Sequence, residues 1–292
     1  MTDLSNWIGR ELVTSETLDT MQLTKMAATM DRPQAFQSGD KLPAGWHWLF
    51  FNQLETQSKL GPDGHPKRGN FLPPVELPRR MWAGSRLHWH APFIAGRTVT
   101  RTARVLDVTE KTGKSGTMIF VKVGYTYAEA SGAGSGKLLL EEEHDIVYRD
   151  DPPRDDKTAS LAAKAPVALA FEREGAHLRK VTPDPVFLFR YSALTFNGHR
   201  IHYDYDYVRN VEGYPGLIVH GPLIATLALD FVEFDLAPGR NIERFSFRMK
   251  KPTFDYAPFH LHANANADGK SFTAWTSDNS GQVALDGEIT LT

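Results

Sequence analysis

Residues 189–220 hold the densest group of side chains that could transfer a proton or bind a carbonyl oxygen. Imidazole changes its charge near neutral pH, which suits histidine to general acid–base catalysis. A histidine beside the start of an apolar helix is an arrangement suited to proton transfer next to a carbonyl group. The polar side chains of this stretch that could take part are Asn197, His199, Arg200, His202 and His220.

His202 is the strongest candidate for the general acid or base, although a single histidine is more often structural than catalytic. His199 and His202 are three residues apart and could share one face of a helix, so metal binding is a competing use. Neither Glu nor Cys follows at a familiar ligand spacing, and an HExxH motif is absent, so no metal is expected. Asp204 is predicted to cap a short helix rather than to act in catalysis.

The segment 222–234 is apolar on nearly every face, which predicts a helix that is buried on most sides. Pro222 suits the first helical position, which places Gly221 at the cap. Backbone N–H groups at a helix N-terminus lack intrahelical partners, and the helix dipole adds partial positive charge there. Because Gly221 allows close approach, this end could stabilise a carbonyl that becomes an enolate. The alternative is an ordinary capped helix.

Several other side chains are candidates for contact with a substrate. Asn197 could hold a water or a substrate oxygen through its amide. Arg200 could pair with a carboxylate or a phosphate, or could form an ordinary surface ion pair. Arg248 and Lys250 could contact the phosphates of an acyl carrier, although a basic run of this kind is usually a solvated face.

Composition limits the classes of function. The 292 residues are 41% hydrophobic and 23% charged, which is typical of a folded globular protein. The net charge of −2 gives no indication of nucleic-acid binding, and no apolar run of about 18 residues predicts a membrane span. Cysteine is absent, which excludes disulfides, thiolate metal sites and a cysteine nucleophile.

Motifs that are missing narrow the function further. Without GxSxG a serine hydrolase is not expected, and without GxGxxG or a Walker motif a nucleotide cofactor is not indicated. The first residues resemble neither a secretory signal nor a transit peptide, so the cytoplasm of a bacterium is the expected compartment.

The elements that must position these side chains fall into two similar halves. A linker is predicted at 151–166, which is rich in Pro, Asp, Lys and Ala. Each half has a helical stretch and then strands separated by glycine-rich turns, which predicts an α+β fold. Chance resemblance between two antiparallel meanders is the alternative to a true repeat. The first helical stretch is 18–30, and the predicted strands are 86–93, 98–110, 117–127, 137–148, 243–253, 259–267, 271–278 and 282–291.

In two long segments the chain resembles the MaoC-like, hotdog-fold enoyl-thioester hydratases and dehydratases. They read RYSALTFNGHRIHYD at 190–204 and EGYPGLIVHGPL at 212–223. The first half adds MWAGSRLHWH at 81–90 and EEEHDIVYR at 141–149. Within the group the chain looks most similar to type 2 hydroxyacyl-thioester dehydratases and to bacterial mesaconyl-C4-CoA and itaconyl-CoA hydratases. The resemblance implies a double hotdog with a non-catalytic half at 1–150, a linker at 151–182 and a catalytic half at 183–292.

The same resemblance assigns roles to the candidate residues. The family motif Asp-x-Asn-Pro-x-His places His202 at its final position and Asn197 where the family has Asp. An amide cannot accept a proton as a carboxylate does, so the usual Asp–His dyad is in doubt. The resemblance implies that His202 activates water, that Asn197 positions it and that the Gly221 N–H binds the thioester oxygen. Tyr191 and His220 are further candidates for substrate contact.

The activity implied is reversible hydration of a short enoyl-CoA. The preferred substrate is a branched dicarboxylyl-CoA, such as mesaconyl-C4-CoA or itaconyl-CoA giving citramalyl-CoA, with Arg200 as an anchor for the distal carboxylate. The alternatives are a 3-hydroxyacyl-thioester dehydratase of fatty-acid type, a hotdog thioesterase and a catalytically silent acyl-CoA-binding subunit. No cofactor is expected, since CoA is part of the substrate. A monomer and a homodimer are both compatible with a double hotdog.

Overall fold

The computed structural model describes residues 3–113, 116–130, 136–150 and 170–292. The strands are β1 (Glu11–Thr17), β2 (Arg79–Trp89), β3 (Thr98–Gly113), β4 (Gly116–Glu129), β5 (Leu138–Arg149), β6 (His177–Val181), β7 (Ile242–Met249), β8 (Phe259–Ala265), β9 (Ser271–Ser277) and β10 (Val283–Leu291). The α-helices are α1 (Thr20–Thr29), α2 (Pro185–Leu194), α3 (Tyr205–Asn210) and α4 (Gly221–Asp230). Short helical turns include Trp46–Leu49, Arg200–His202 and a π-helical turn at Phe231–Leu236.

The ten described strands form one antiparallel sheet in the order β1-β3-β4-β5-β2-β7-β10-β9-β8-β6. Read from its outer edge, the first half has the order β1-β3-β4-β5-β2 and the second half has the order β6-β8-β9-β10-β7. Each strand of the first half therefore has a counterpart at the same place in the second half. The halves meet where β2 pairs with β7, from Gly84↔Arg248 to His88↔Arg244. The predicted tandem repeat of two α+β halves is therefore present in the topology.

Eight of the ten described strands match predicted strands, and α1 lies within the predicted helical stretch. The sequence does not predict the two edge strands, β1 and β6, whose residues are largely exposed and lack a clear apolar alternation. β6 lies inside the interval 151–182 assigned to the linker and pairs with β8. The earlier part of that interval, 151–169, lies outside the described residues, so the domain boundaries stay a prediction.

β2 begins at Arg79, seven residues before the predicted start at 86. The predicted strand leaves out 79–85, but the observed strand runs through Gly84 with a register irregularity between Trp82 and Gly84. A Cβ on Gly84 would lie 2.3 Å from the carbonyl oxygen of Phe247 in β7. Glycine is therefore required for the close approach of the two halves rather than to end a strand.

Helix α4 is the buried helix that the apolar pattern predicts, since every residue from Leu223 to Asp230 is buried. The start differs by one position from the prediction. His220 is the N-cap and Gly221 is the first helical residue, because Ile224 N–H donates to the carbonyl of His220. The buried Asp230 carboxylate accepts hydrogen bonds from Arg32 and Arg179.

The main core of the protein runs through both halves. Its buried side chains include Trp46 and Leu139 from the first half and Leu223 and Phe245 from the second. Within the described ranges, no helix is both long enough and apolar enough to cross a membrane. In the first half, α1 buries only Leu23, Met26 and Ala27, and the turn Trp46–Leu49 adds a short segment to the core, whereas α4 of the second half is buried along nearly its whole length.

Candidate active site

His202 lies in the helical turn between α2 and α3, and a hydrogen bond from its Nδ1 to the backbone fixes the orientation of the ring. Nδ1 is 2.6 Å from the carbonyl oxygen of Ile218. Because a carbonyl oxygen only accepts, Nδ1 carries the proton and Nε2 keeps its lone pair. This is the protonation pattern of a general base.

The carbonyl that orients His202 is itself held by backbone pairing. The Ile218 N–H donates to the carbonyl of Ile201 at 3.0 Å, and the neighbouring Val219 N–H donates to Thr253 at 2.8 Å. These bonds connect the segment before α4 with the turn Arg200–His202 and with the chain that follows β7. The position of His202 therefore depends on two parts of the chain that are distant in sequence.

His202 is neutral at physiological pH. Only 7% of the residue is exposed. Burial lowers its pKa to about 4, while the hydrogen bond to Ile218 acts in the opposite direction and the charge of a protonated His65 would lower the pKa further. A buried, neutral imidazole with a free Nε2 can accept a proton from water over a wide pH range.

His220 supports His202 from its face. The two rings stack with centroids 3.7 Å apart. His220 is fully buried, burial lowers its pKa well below the usual range, and its Nε2 is 2.8 Å from Oγ of Ser192. Tyr191 packs edge-on against His220 with centroids 5.0 Å apart. The predicted substrate contacts of Tyr191 and His220 are not tested by this packing and stay predictions.

Ser192 is a site residue that the sequence interpretation misses, although it lies inside the first matching segment. Serine is common at helix ends and surfaces, so nothing in its type indicated a buried hydrogen bond to a histidine. Its position on α2, which Asp184 caps, brings Oγ to His220. The signal that could have found it is its place directly after Tyr191 in the matching segment.

Asn197 lies beside the histidine turn, and its carbonyl oxygen is already engaged. Oδ1 accepts a hydrogen bond from the His199 N–H at 3.1 Å. The preceding residue, Phe196, has φ of 49° and turns the chain sharply out of α2. The side-chain NH₂ of Asn197 remains as its donor, so the prediction that it positions a water rests on that group.

A loop of the first half closes over the histidine turn. The Arg200 N–H donates to the carbonyl of Asp63 at 2.9 Å, and the rings of His65 and His199 lie 4.0 Å apart. Gly64 has φ of 87°, and a Cβ there would lie 2.0 Å from the carbonyl oxygen of Gly198. The segment that carries His199 and His202 is therefore packed directly against the first half.

Asp63, His65 and His199 are the residues at this loop that could approach a cation. Their candidate ligand atoms lie within 4.8 Å of one another. Burial lowers the pKa of both histidines, and the charge of Arg80 lowers them further. The positive charge of Arg80 would weaken the binding of a cation by these residues.

The N-terminus of α4 is open beside the histidines. The His220 side chain makes no capping hydrogen bond, and proline occupies the position after Gly221. A Cβ on Gly221 would lie 3.3 Å from Cε3 of Trp82, whose Nε1 is held by Ser85 at 3.1 Å. Gly221 therefore packs against an indole supplied by the first half, so the first turn of α4 begins beside an apolar wall.

The predicted anchors for charged substrate groups have protein partners. Arg200 donates to Asp204 through Nε at 2.9 Å and through its terminal nitrogen at 2.7 Å. Asp204 also caps α3, which confirms its predicted role. Lys250 pairs with Asp286 at 2.9 Å, whereas Arg248 is an exposed residue on β7. The structure does not bring Arg248 or Lys250 into recorded contact with the histidines, and their role in binding phosphates stays a prediction.

The first half contains a buried carboxylate, Glu142, which is connected with Trp82 through His144. Only 1% of the residue is exposed. Burial alone would raise its pKa, but the neighbouring histidines hold it well below the usual range. His144 packs against Trp82 with centroids 5.0 Å apart, which connects this cluster with the start of α4. The groups within hydrogen-bonding distance of Glu142 are His47 Nε2, Trp48 Nε1, Tyr127 OH and His144 Nε2.

Known proteins match nearly the whole chain. A family model described as hydroxyacyl-thioester dehydratase type 2 matches residues 45–255. Mesaconyl-C(4)-CoA hydratase of Chloroflexus aurantiacus is 42% identical over 290 residues, which cover 99% of this chain and 98% of that protein. The mitochondrial hydroxyacyl-thioester dehydratase type 2 of Schizosaccharomyces pombe is 27% identical over 75% of this chain and 77% of its own length.

Solved structures share the architecture at low identity. A MaoC-like dehydratase superposes with a TM-score of 0.68 at 13% identity and covers 99% of both chains. A Mycobacterium tuberculosis protein described as having a double hotdog fold gives a TM-score of 0.58 at 15% identity, over 97% of this chain and 96% of its own. These likenesses confirm the predicted α+β double hotdog.

Proposed function

The chain belongs to the hydroxyacyl-thioester dehydratase type 2 family, and we propose that it hydrates the α,β double bond of a short, branched dicarboxylyl-CoA. Membership makes it a hydro-lyase, and its substrate is a CoA thioester. Mesaconyl-C4-CoA is the substrate best supported, because the 42% identical relative carries that name. The product would be citramalyl-CoA, and the reaction would be reversible.

One observation carries the chemistry of this proposal. The Nδ1–H of His202 is held by Ile218, Nε2 has no hydrogen-bond partner among the described residues, and the ring lies in the same cluster as the open N-terminus of α4. Nε2 takes a proton from water, and the water oxygen forms a bond to the β-carbon. The π electrons move to the thioester oxygen, which the Gly221 N–H and the helix dipole stabilise.

The enolate then collapses, and the imidazolium of His202 returns its proton to the α-carbon, so that one water is added in total. The reverse sequence removes water from the hydroxyacyl thioester. The side-chain NH₂ of Asn197 would donate a hydrogen bond to the attacking water, and the stacked His220 would keep the His202 ring in place. CoA belongs to the substrate, and the mechanism requires no metal or other cofactor.

A dehydratase of fatty-acid type is the second candidate function. It is favoured by the similarity to the mitochondrial dehydratase, although the identity of 27% is lower. A thioesterase is less well supported because the position that would offer a carboxylate holds Asn197, and a silent acyl-CoA-binding subunit would not need the free nitrogen of His202. We further propose a cytoplasmic protein that acts as a monomer or a homodimer.

Replacement of His202 tests the proposal. The wild-type protein should consume the enoyl absorbance of mesaconyl-C4-CoA faster than that of itaconyl-CoA or crotonyl-CoA, without release of free thiol. His202→Ala should lower turnover by about 100-fold or more, because the general base is lost. The matched control is His177→Ala, which removes an exposed histidine on β6.

Each other outcome has a definite meaning. Near-normal turnover in His202→Ala, with an unchanged melting temperature, contradicts the assignment of the base. Release of free thiol identifies a thioesterase. Binding of acyl-CoA with no loss of enoyl absorbance for any of the three substrates favours the silent subunit.

A further inference from the structure

Arg80 lies on the face of β2 that is turned toward the catalytic half. It precedes Trp82 by two residues, so the two side chains share one face of the strand. Trp82 is the residue next to Gly221 at the start of α4. In the sheet, Arg80 is paired with Tyr148 and Trp82 with Ile146.

The charge of Arg80 acts on both sides of the site. It lowers the pKa of His65 and of His199, and the His199 ring lies 5.5 Å from that of His202. On the first-half side it also acts on Tyr125, whose pKa burial raises to about 12. Together with the face that it shares with Trp82 beside Gly221, this places the charge of Arg80 within electrostatic reach of the histidines and of the inner wall of the first half.

This guanidinium is half-buried, yet no ion pair with a carboxylate is found for it among the described residues. Its cross-strand neighbour, Tyr148, is a phenol whose pKa is raised by burial, so it supplies no negative charge. The nearby carboxylates are engaged elsewhere, Asp63 with His65 and Glu142 with its own four donors. A partly desolvated arginine is unfavourable without an anionic partner, which an incoming ligand can supply.

The other arginines close to the site are less available. Arg200 is held by Asp204, and Arg101 lies over the rings of Phe51 and Tyr125. Arg101 is in the wall of the first half, whereas the charge of Arg80 reaches the histidine beside the catalytic base. Arg80 is thus the arginine best placed to bind an anionic group close to the reacting carbons of the acyl chain.

We propose that Arg80 binds the distal carboxylate of the acyl group and so determines the preference for a dicarboxylyl-CoA. In mesaconyl-C4-CoA this carboxylate is attached to the β-carbon, the atom that receives water. Its anchor must therefore lie close to His202, and the planar fork of arginine suits two carboxylate oxygens. The inference deepens the proposed function and rests on it, and it replaces Arg200 by Arg80 as the anchor.

A pair of substrates isolates the role of the carboxylate. 3-Methylbut-2-enoyl-CoA has the shape of mesaconyl-C4-CoA but carries a methyl group in place of the carboxylate. Arg80→Met should lower kcat/KM for mesaconyl-C4-CoA by about 100-fold, the range expected for losing a charged hydrogen-bonded pair. It should change kcat/KM for the methyl analogue by less than about threefold.

Two further variants control for charge and folding. Arg86→Met removes an arginine from the same strand that is exposed and paired with Glu143 and Asp145, so it should affect neither substrate. Arg80→Lys keeps the charge without the planar fork and should recover part of the lost rate. An equal loss with both substrates in a folded Arg80→Met variant, or no loss with either, overturns the proposal.

Binding measurements separate this inference from the proposed function. Isothermal titration with two saturated ligands, 2-methylsuccinyl-C4-CoA and isovaleryl-CoA, needs no turnover. Arg80→Met should weaken the first by about 100-fold and leave the second unchanged. If the wild type hydrates neither enoyl-CoA but shows this difference, the proposed function fails and the anchor stands. If turnover is normal and the difference is missing, the anchor fails and the function stands.

Discussion

The pH dependence of activity tests the environment of His202 directly. The base must be neutral to act, and burial lowers the pKa of His202 to about 4. At pH 5.5 a histidine with the ordinary pKa of about 6.5 would be about 9% neutral, whereas one with a pKa of about 4 would be about 97% neutral. The structure therefore predicts nearly constant kcat/KM from pH 8 down to about 5.5, where an ordinary histidine would lose about tenfold.

The groups that face His202 do not alter the direction of this prediction. His220 stacks on it, His199 lies at its edge and His65 lies beyond His199. Burial is the largest cause of a lowered pKa for each of these three histidines, so each of them gains a proton less readily than an ordinary histidine. A positive charge on any of them would lower the pKa of His202 further rather than raise it.

The assay follows the initial loss of enoyl absorbance at subsaturating mesaconyl-C4-CoA in buffers from pH 5.5 to 8. Enzyme that has been held at each pH is returned to pH 7.5 and assayed again, so that irreversible loss is separated from titration. A decline in kcat/KM with a midpoint near 6.5, reversible on return, would refute the assignment of a buried neutral base.

Three further predictions concern the walls of the site. Gly221→Ala places a Cβ 3.3 Å from Trp82 and should lower kcat/KM by about tenfold, and Trp82→Leu in the same chain should restore part of it; an additive loss contradicts the contact. Glu142→Gln should cost about 3 kcal/mol in urea unfolding, because four donors lose a buried charge, while the partly exposed Glu143→Gln should stay within about 0.5 kcal/mol. Lowering the pH from 6.5 to 5 should lower the melting temperature. Folding lowers the pKa of His199, His202 and His220, so the unfolded chain binds more protons than the folded protein over this range. A constant melting temperature argues against buried neutral histidines.

The sequence could group the candidate acid–base residues because they are close together in the chain, and their roles stay predictions. Asn197, His202 and Asp204 lie within eight residues of one another, and Gly221 begins the helix that follows the next segment. Helix caps and apolar periodicity are local signals, so the cap at Asp204 and the burial of α4 could be inferred without a structure.

The first-half side of the site could not be predicted, because its residues reach the catalytic loop only through the sheet. Arg80 and Trp82 lie on the part of β2 before Gly84, outside the strand predicted at 86–93. The pairing of β2 with β7 turns that glycine into a point of contact between the halves. Asp63 and His65 are on a loop that carries no periodic pattern, so only the tertiary structure places them beside His199.

The join between β2 and β7 also bears on how the protein can change over generations. In a symmetric dimer of two identical chains, each substitution would appear in both chains and so in two related sites. Because a single gene encodes both halves, β2 can acquire a residue such as Arg80 that faces the histidines without placing a second copy elsewhere. Selection for a new acyl group can therefore act on the first half while the second half retains its proton chemistry. An exchange of first halves between relatives is then a direct route to enzymes with new substrate preferences.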